Sequence, residues 1–212
     1  MNNIQHEFHE IDEGSSNQAI LDIIKYVEDK LPDFTKSREF IDTLENKKNE
    51  NQHSELFCLY MTNKCNSKYY FCREKTQPGT YTIDIGIYQG SNLIFAIEAK
   101  LLPTPKGTKQ KPRSEYEYVY GKGGGIQRFR DGFHGIDNRG NPLSENGMIA
   151  YIKEQDFEYW FSKINQWILD AQWNEFEQLE KIYFKSIAKL ISKHPCKKAS
   201  YVSLYHFWIS VP

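Results

Sequence analysis

The pattern of apolar residues in the first third of the chain changes from helical to strand spacing. An apolar stripe predicts a first helix over 20–31, which Pro32 is expected to end. Shorter helical patterns span 37–44 and 53–63, and the run 69–75 is typical of a strand. The chain is therefore expected to open with helices and then to enter a sheet.

Two further strand-like runs lie within 81–102 and are joined by a turn at 90–92. The start of the second run, 93–97, is apolar without alternation, as expected of a strand that is buried on both faces. Glu98 then interrupts the apolar run. Because burying an unpaired carboxylate costs several kcal/mol, Glu98 is expected to meet a cation, hydrogen-bond donors or a metal ion.

The register of this hairpin decides which acids face each other. A three-residue loop that ends with Asn92 in the left-handed conformation would pair Gln89 with Leu93. The same register places Asp84 directly opposite Glu98. Directly opposed side chains have Cβ atoms about 4.5 to 5.5 Å apart. Two carboxylates at that separation can hold one hard cation through their oxygen atoms.

Asp84, Glu98 and Lys100 resemble the core motif of the PD-(D/E)XK nuclease superfamily, an Asp followed on the next strand by acid-x-Lys. Ile83 stands where many members have Pro. The resemblance implies a restriction-endonuclease-like α/β fold, with a central mixed β-sheet flanked by helices. It also implies phosphodiester hydrolysis, in which Asp84, Glu98 and the Ala99 carbonyl hold Mg²⁺ or Mn²⁺. Lys100 would orient or deprotonate the attacking water.

Two more parts of the site are implied by the same resemblance. Members of the superfamily place an acid on the helix before the core sheet, where it joins the metal site. Glu55 is the best match by position and Glu50 the second, although a solvated helix Glu is the alternative interpretation. A helix after the acid-x-Lys strand often presents a Gln or a basic residue, and Gln127 with Arg128 or Arg130 fits that place.

The C-terminal half is rich in aromatic residues at helical spacing. The run 148–152 predicts a fourth strand, and Asp156 is expected to cap a helix. The helical pattern continues as far as His194, with its aromatic side chains expected to pack over the sheet. The run 201–211 predicts a last strand, in which His206 is expected to be a hydrogen-bonded residue rather than a ligand.

Length, composition and charge refine this picture. A chain of 212 residues with 39% hydrophobic content predicts one domain over 1–212, with 1–14 frayed. The net charge of −1 is unevenly distributed, since 1–54 hold twelve acids and six bases, and 100–130 hold eight bases and two acids. We interpret 102–124 as a flexible basic arm that contacts nucleic acid, with a solvated loop as the alternative. The predicted nucleic-acid-binding residues are Lys106, Lys109, Lys111, Arg113, Lys122, Arg128 and Arg130.

A glycine run follows the arm. Gly123 to Gly125 precede a short helix whose N-terminal N–H groups could receive a phosphate, and a mobile lid that binds nothing is the open alternative. Lys122 is followed by Gly123, so the order of a Walker motif is missing. His134, in the next loop, is an acid-base candidate.

Several classes of protein are disfavoured. No apolar run approaches the roughly 18 residues of a membrane span, and the residues after Met1 are polar and acidic rather than a signal peptide. We therefore expect a cytoplasmic protein without membrane contact. The four cysteines form no CxxC pair, which argues against a zinc site.

The function expected from these residues is that of a metal-dependent nuclease acting on nucleic acid, with DNA as the expected substrate. Restriction or anti-phage defence is the setting that the resemblance implies, and a homodimer or a defence-complex partner is expected. The alternative is a catalytically inactive nuclease-like module that binds DNA or a protein partner, with Glu98 and Lys100 only ion-paired. A third class is a phosphate-handling enzyme built on Gly123 to Gly125, whose nucleotide binding would survive loss of Asp84.

Overall fold

A computed structural model describes residues 13–45, 50–77, 81–109, 113–121 and 123–211. The helices are α1 (Glu13–Phe34), α2 (Arg38–Glu45), α3 (Glu50–Lys64), α4 (Gly125–Arg130) and α5 (Phe157–Asp170), with short 3₁₀ helices at Glu115–Tyr118 and Glu175–Glu177. The strands are β1 (Tyr70–Thr76), β2 (Thr82–Gln89), β3 (Asn92–Leu102), β4 (Glu145–Ile152), β5 (Glu180–Phe184), β6 (Ile187–Cys196) and β7 (Ala199–Ser210). Of the predicted frayed segment 1–14, only Glu13 and Gly14 are among the described residues, in α1.

The seven strands form one mixed sheet in the order β1-β2-β3-β4-β7-β6-β5. The pairs β3–β4 and β4–β7 are parallel, and the other neighbours are antiparallel. Side chains of α1, α2 and α3 form the core on one face, and those of α4 and α5 form the core on the other. The expected α/β architecture, a central mixed sheet flanked by helices, is confirmed. In the described part of the chain, no helix has the length and apolar character needed to span a membrane.

The first helix is longer than its sequence pattern predicts. It buries Ile23, Val27 and Leu31 completely, as the apolar stripe requires. The prediction that Pro32 ends the helix is wrong, since α1 continues to Phe34. Pro32 lies in the last turn, where it removes only one donor, and the Leu31 carbonyl still accepts a hydrogen bond from Thr35 N at 3.1 Å.

The predicted continuation of the C-terminal helix to His194 is also wrong. Asp156 caps α5 as expected, accepting a hydrogen bond from Tyr159 N at 2.7 Å, but the helix ends at Asp170 and is followed by β5 and β6. The buried residues of β6 alternate, but two of the alternating positions are polar, which hides the strand period from a count of apolar residues. These alternating buried positions are Ala188, Leu190, Ser192 and His194.

The predicted flexible arm, 102–124, does not stay outside the core along its whole length. Lys106 and Lys109 are exposed, as a solvated arm requires. Tyr118 and Val119, in contrast, are fully buried in the core beneath α4 and α5. This part of the segment is therefore packed against the sheet, which differs from the interpretation of 102–124 as a flexible arm.

Candidate functional site

The candidate site lies where β2 and β3 separate. Ile85 pairs with Ile97, in the register that places Asp84 opposite Glu98, as the sequence predicts. These residues begin the backbone pairing of the two strands, so Asp84 lies just outside the ladder. The hairpin thus brings the two acids of the predicted motif to the same point of the sheet.

The turn of this hairpin differs from its prediction. A β-bulge after Ile87 shifts the register, so that Gln89 pairs with Asn92 rather than with Leu93. The loop is therefore two residues long, and its first residue, Gly90, takes the positive φ of +60°. Glycine adopts this conformation at less cost than asparagine, and two-residue hairpin loops commonly begin with it.

Two carboxylates take the place of the missing strand pairing on β3. Asp84 Oδ2 accepts a hydrogen bond from Ala99 N at 2.7 Å, and Glu50 Oε2 accepts one from Leu101 N at 2.8 Å. Backbone groups two residues apart point to the same side of a strand, so both acids lie along the edge of β3 that faces β2. The Ala99 carbonyl points to that side as well, because the N–H and C=O of one residue share a side.

Glu98 is fully buried and surrounded by basic groups. Its Oε1 accepts hydrogen bonds from Lys100 Nζ at 2.7 Å and from Arg128 Nη1 at 2.6 Å. His134 Nδ1 lies 3.0 Å from Oε2, a contact without the alignment of a hydrogen bond. Among the described residues, Glu98 Oε2 has no hydrogen-bond partner.

The electrostatics of the site follow from this clustering. Burial and the nearby Glu98 carboxylate raise the pKa of Asp84 to about 7; the residue keeps some solvent exposure, but its carboxyl group is enclosed. Burial alone would raise the pKa of Glu98, yet Lys100, His134 and Arg128 hold it well below its ordinary value. Burial would likewise lower the pKa of Lys100, but Glu98, Asp84 and Glu50 raise it. The site therefore combines three interacting acids with a protonated lysine.

Glu55, the helix acid preferred from the sequence, is not brought to this site. Its side chain is exposed and lies 3.8 Å from Arg73 Nη1, at the β1 side of the sheet. Glu50, the second choice, contacts β3 instead. The two acids are five residues apart, which turns them about 140° from each other on α3, so only one of them can face the strand.

Of the three candidates on α4, the structure brings Arg128 alone to the acids. Gln127 Oε1 accepts a hydrogen bond from Gly121 N at 2.9 Å, and Arg130 forms an ion pair with Glu177, 2.7 Å from Nε to Oε2. Residues one apart on a helix point in different directions, which explains why Gln127 cannot share the contact of Arg128.

The other predicted nucleic-acid-binding residues are dispersed. Lys106 and Lys109 are exposed, and Arg113 Nε donates to Glu117 Oε2 at 2.8 Å. Lys111 and Lys122 lie outside the described residues. The exposed basic surface that the structure describes in the arm is thus formed by its first part.

Two residues of the glycine run are in close packing contact with their neighbours. A methyl group on Gly124 would lie 2.6 Å from the Tyr120 backbone, and one on Gly125 would lie 2.6 Å from Met148 Cε and 3.3 Å from Lys100 Cε. Contact this close leaves no room for a Cβ atom, which accounts for both glycines. Close packing explains these glycines without a ligand, and phosphate binding by the run stays a prediction.

The sequence interpretation identified His134 and His206 but missed the polar cluster around the second. His134 reaches Glu98, and His206 is a hydrogen-bonded strand residue as expected. Its cluster includes Ser192, His194 and Glu177, all buried on the α4 and α5 face. The i, i+2 spacing of Ser192 and His194 was the available signal, and it was hidden by the helical interpretation of that segment.

Two further findings bear on function. Across the ranges that the structure describes, no three His, Cys, Asp or Glu side chains converge closely enough to hold a metal ion. Comparisons of the chain with protein-family models, with curated proteins and with solved structures gave no match.

Proposed function

We propose that this protein is a metal-dependent nuclease with a restriction-endonuclease-like core, which hydrolyses phosphodiester bonds of nucleic acid, with DNA as the expected substrate. One observation carries the proposal. Glu50, Asp84, Glu98 and Lys100 gather where β2 separates from β3, and the carboxylates of Asp84 and Glu50 bind the free edge of β3. A role in restriction or anti-phage defence is carried over from the resemblance alone. Action as a dimer or with a partner is proposed because no separate recognition domain is expected in a chain of 212 residues.

The residues present suit a divalent cation in chemistry and charge. Carboxylate and carbonyl oxygens are the ligand atoms that Mg²⁺ and Mn²⁺ prefer. Burial, and after it the neighbouring Glu98 carboxylate, raises the pKa of Asp84, and a bound cation would oppose both effects. Asp84, Glu98 and the Ala99 carbonyl would hold the ion, with Glu50 in the place expected for Glu55. When bound, the metal would supply Lewis-acid stabilisation of the phosphate charge.

The chain's own residues have separate roles in this proposal. Lys100 Nζ, held as an ammonium 2.7 Å from Glu98 Oε1, would orient the attacking water and stabilise the charge that develops on the phosphate, and it could deprotonate the water only after losing its own proton. Arg128 keeps one third of its side chain exposed, so its guanidinium is accessible to a phosphate from solvent. Exposed Lys106 and Lys109 would add contacts to the nucleic acid backbone.

A second candidate function is a non-catalytic module that binds DNA or a protein. The observation that favours it is the saturation of Glu98 Oε1 by Lys100 and Arg128, which a structural ion pair also requires. In that case the acids and bases would neutralise each other, and no metal would be needed.

Calorimetry with Mn²⁺ separates the two functions. The nuclease proposal expects saturable heat in the wild-type protein that is lost in Asp84→Asn. Asp22→Asn is the matched control, since Asp22 is a partly exposed acid that pairs with Lys68 and should leave the heat unchanged. Cleavage of DNA should require Mg²⁺ or Mn²⁺ and stop in EDTA. Absence of wild-type heat, or cleavage that continues in EDTA, would reject the metal-dependent nuclease.

A further inference from the structure

A continuous chain of buried hydrogen bonds crosses the sheet face on which α4 and α5 pack. Its donor–acceptor distances lie between 2.7 and 3.0 Å, and none of its residues is more than 3% exposed. We name this chain the relay. Its six members, in order, are Trp208, Tyr118, His206, Ser192, His194 and Glu177.

The two ends of the relay fix the direction of its hydrogen bonds. An indole N–H can only donate, so Trp208 donates to the Tyr118 hydroxyl at 2.9 Å. An ionised carboxylate can only accept, so His194 Nδ1 carries the proton that it shares with Glu177 at 3.0 Å. Arg130 Nη2 donates to the same carboxylate at 3.1 Å, which keeps Glu177 ionised.

The remaining protons then have one arrangement. With Nδ1 protonated, neutral His194 accepts at Nε2 from the Ser192 hydroxyl, and Ser192 must accept from Nε2–H of His206. His206 is left with a bare Nδ1, which accepts from the Tyr118 hydroxyl. The relay has five hydrogen bonds, and its members supply one proton for each when both histidines are neutral. Burial lowers the pKa of both imidazoles, in agreement with this state.

Part of the relay resembles the triad of a serine hydrolase, but its burial excludes that chemistry. Ser192, His194 and Glu177 have the order of nucleophile, base and orienting acid. The Ser192 side chain, however, is enclosed between two imidazoles and is 3% exposed, so an acyl substrate cannot reach its oxygen. Any role of the relay in function must therefore depend on the residues that it holds in position.

The relay holds both ends of the segment 118–130, whose described residues, 118–121 and 123–130, lie against the candidate site. Tyr118 is its first residue, and Arg130, its last, binds Glu177. Between these anchors, Gly125 packs against the Lys100 side chain and Arg128 donates to Glu98. Buried Ile126 and Phe129 hold the middle of the segment by apolar packing, and the relay adds a polar anchor at each end.

We infer that the relay is a positioning device, whose fully ordered hydrogen bonds anchor the segment 118–130 and thereby hold Arg128 and Lys100 in place at Glu98. Tyr118 and His206 are positioning residues in this inference. Its catalytic meaning rests on the proposed nuclease function, but the ordered relay and the anchoring do not.

The proton arrangement is testable without any variant. Long-range ¹H–¹⁵N NMR of the wild-type protein at pH 7 should show two neutral imidazoles, with the proton on Nδ1 of His194 and on Nε2 of His206. A charged imidazole at either position, or the opposite tautomer at either, would overturn the relay.

The anchoring is testable by hydrogen exchange in Tyr118→Phe. Loss of the hydroxyl leaves Trp208 Nε1–H and His206 Nδ1 without partners, so backbone amides of 119–130 should exchange about tenfold faster. Amides of α5 should not change. Tyr26→Phe is the control, because it removes a hydroxyl that donates to Met61 O at 2.7 Å on the other face.

The outcomes separate anchoring from general stability and from nuclease function. Equal acceleration in 119–130 and in α5 would mean a merely structural relay, and no acceleration would also reject the inference. If the wild-type protein cleaves nucleic acid, Tyr118→Phe should lower kcat about tenfold with little change in KM. If it does not, the nuclease proposal fails while the NMR and exchange results still decide the relay.

Discussion

Glu98 and Glu177 are both fully buried carboxylates, and each is paired with an arginine of α4. Arg128 and Arg130 are two residues apart on that short helix and reach opposite sides of it. The two acids therefore share burial, charge and the element that neutralises them. Burial and ion pairing alone would therefore assign the same role to both acids.

The two carboxylates differ in how completely their own oxygen atoms are hydrogen-bonded, although one nitrogen beside each of them, His134 Nδ1 and Arg130 Nε, has no hydrogen-bond partner among the described residues. Glu177 lies at the end of a relay in which every hydrogen bond has one proton, next to neutral imidazoles. Glu98 has an oxygen without a hydrogen-bond partner among the described residues, and it shares its surroundings with Asp84 and Glu50. Both oxygens of Glu177 accept hydrogen bonds, as expected of a structural role, whereas an unbonded carboxylate oxygen and crowded like charges are typical of functional sites.

The largest expected effect is on turnover at the Glu98 cluster. Lys100→Met keeps the packing of the side chain but removes the ammonium beside Glu98, so turnover should fall by about 10² to 10⁴, the usual size of a general acid-base contribution. Binding of Mn²⁺ and of DNA should remain, because Asp84 and Glu98 are unchanged. Steady-state cleavage assays and calorimetry on the same preparation check both statements.

A matched lysine controls for loss of charge. Lys189 is also largely buried and pairs with Glu28 on the other face of the sheet, so Lys189→Met should leave turnover unchanged. If Lys100 were only structural, Lys100→Met would lower the melting temperature without changing any divalent-dependent activity. That result would give Glu98 the same structural role as Glu177.

The second largest effect is on stability and compares the two arginines. Arg130→Gln leaves buried Glu177 next to a neutral imidazole and removes stacking on Trp173, where the guanidinium lies 3.9 Å from the ring centroid. We expect a loss of about 3 to 5 kcal/mol in the free energy of unfolding. Arg128→Gln should cost about 1.5 to 3 kcal/mol, because Lys100 remains on the same oxygen of Glu98.

Urea denaturation of the two variants at pH 7 makes this comparison. The order of the two losses is the informative quantity, since the same helix carries both substitutions. If Arg128→Gln were the more destabilising, Glu98 rather than Glu177 would be the structural carboxylate, and the contrast between them would be reversed.

The sequence predicted the Glu98 cluster better than the relay, for a physical reason. Glu98 interrupts an apolar run and Lys100 follows on the same strand face, so local pattern and burial cost point to them directly. The choice between Glu50 and Glu55 depends on how α3 is rotated against the sheet, which tertiary packing decides. A single sequence does not contain that rotation.

The relay was missed because its members are scattered along the chain and polar. Ser192 and His194 lie on a strand whose period is carried partly by polar residues, and the aromatic residues before them extend a helical pattern. Tyr118 lies in the segment that its basic neighbours marked as a solvated arm. Its burial follows from hydrogen bonds to β7, a contact about ninety residues away in sequence.

The smallest expected effect is a pH dependence of stability that belongs to the relay. Burial lowers the pKa of His194 below the ordinary 6.5, and it lowers that of His206 further. The Glu177 carboxylate would raise the pKa of His194, but burial outweighs it and Arg130 adds to the lowering. The two histidines therefore bind protons near pH 6.5 in the unfolded chain but remain neutral at that pH in the folded protein. The stability contributed by each neutral histidine is complete above that pH and is lost as the pH falls towards the folded-state pKa.

Asp84 titrates with the opposite sign, so the measurement must remove its contribution. Its raised pKa of about 7 means that the folded protein binds a proton more tightly than the unfolded chain, which adds stability as the pH falls below 7. Comparing wild-type protein with His206→Gln cancels this term, since both contain Asp84. Between pH 6.5 and 5.5 the wild type should lose about 1 kcal/mol more than the variant in urea denaturation. Equal losses would show that His206 is not held neutral, and that Glu177, like Glu98, lies in an incompletely satisfied cluster.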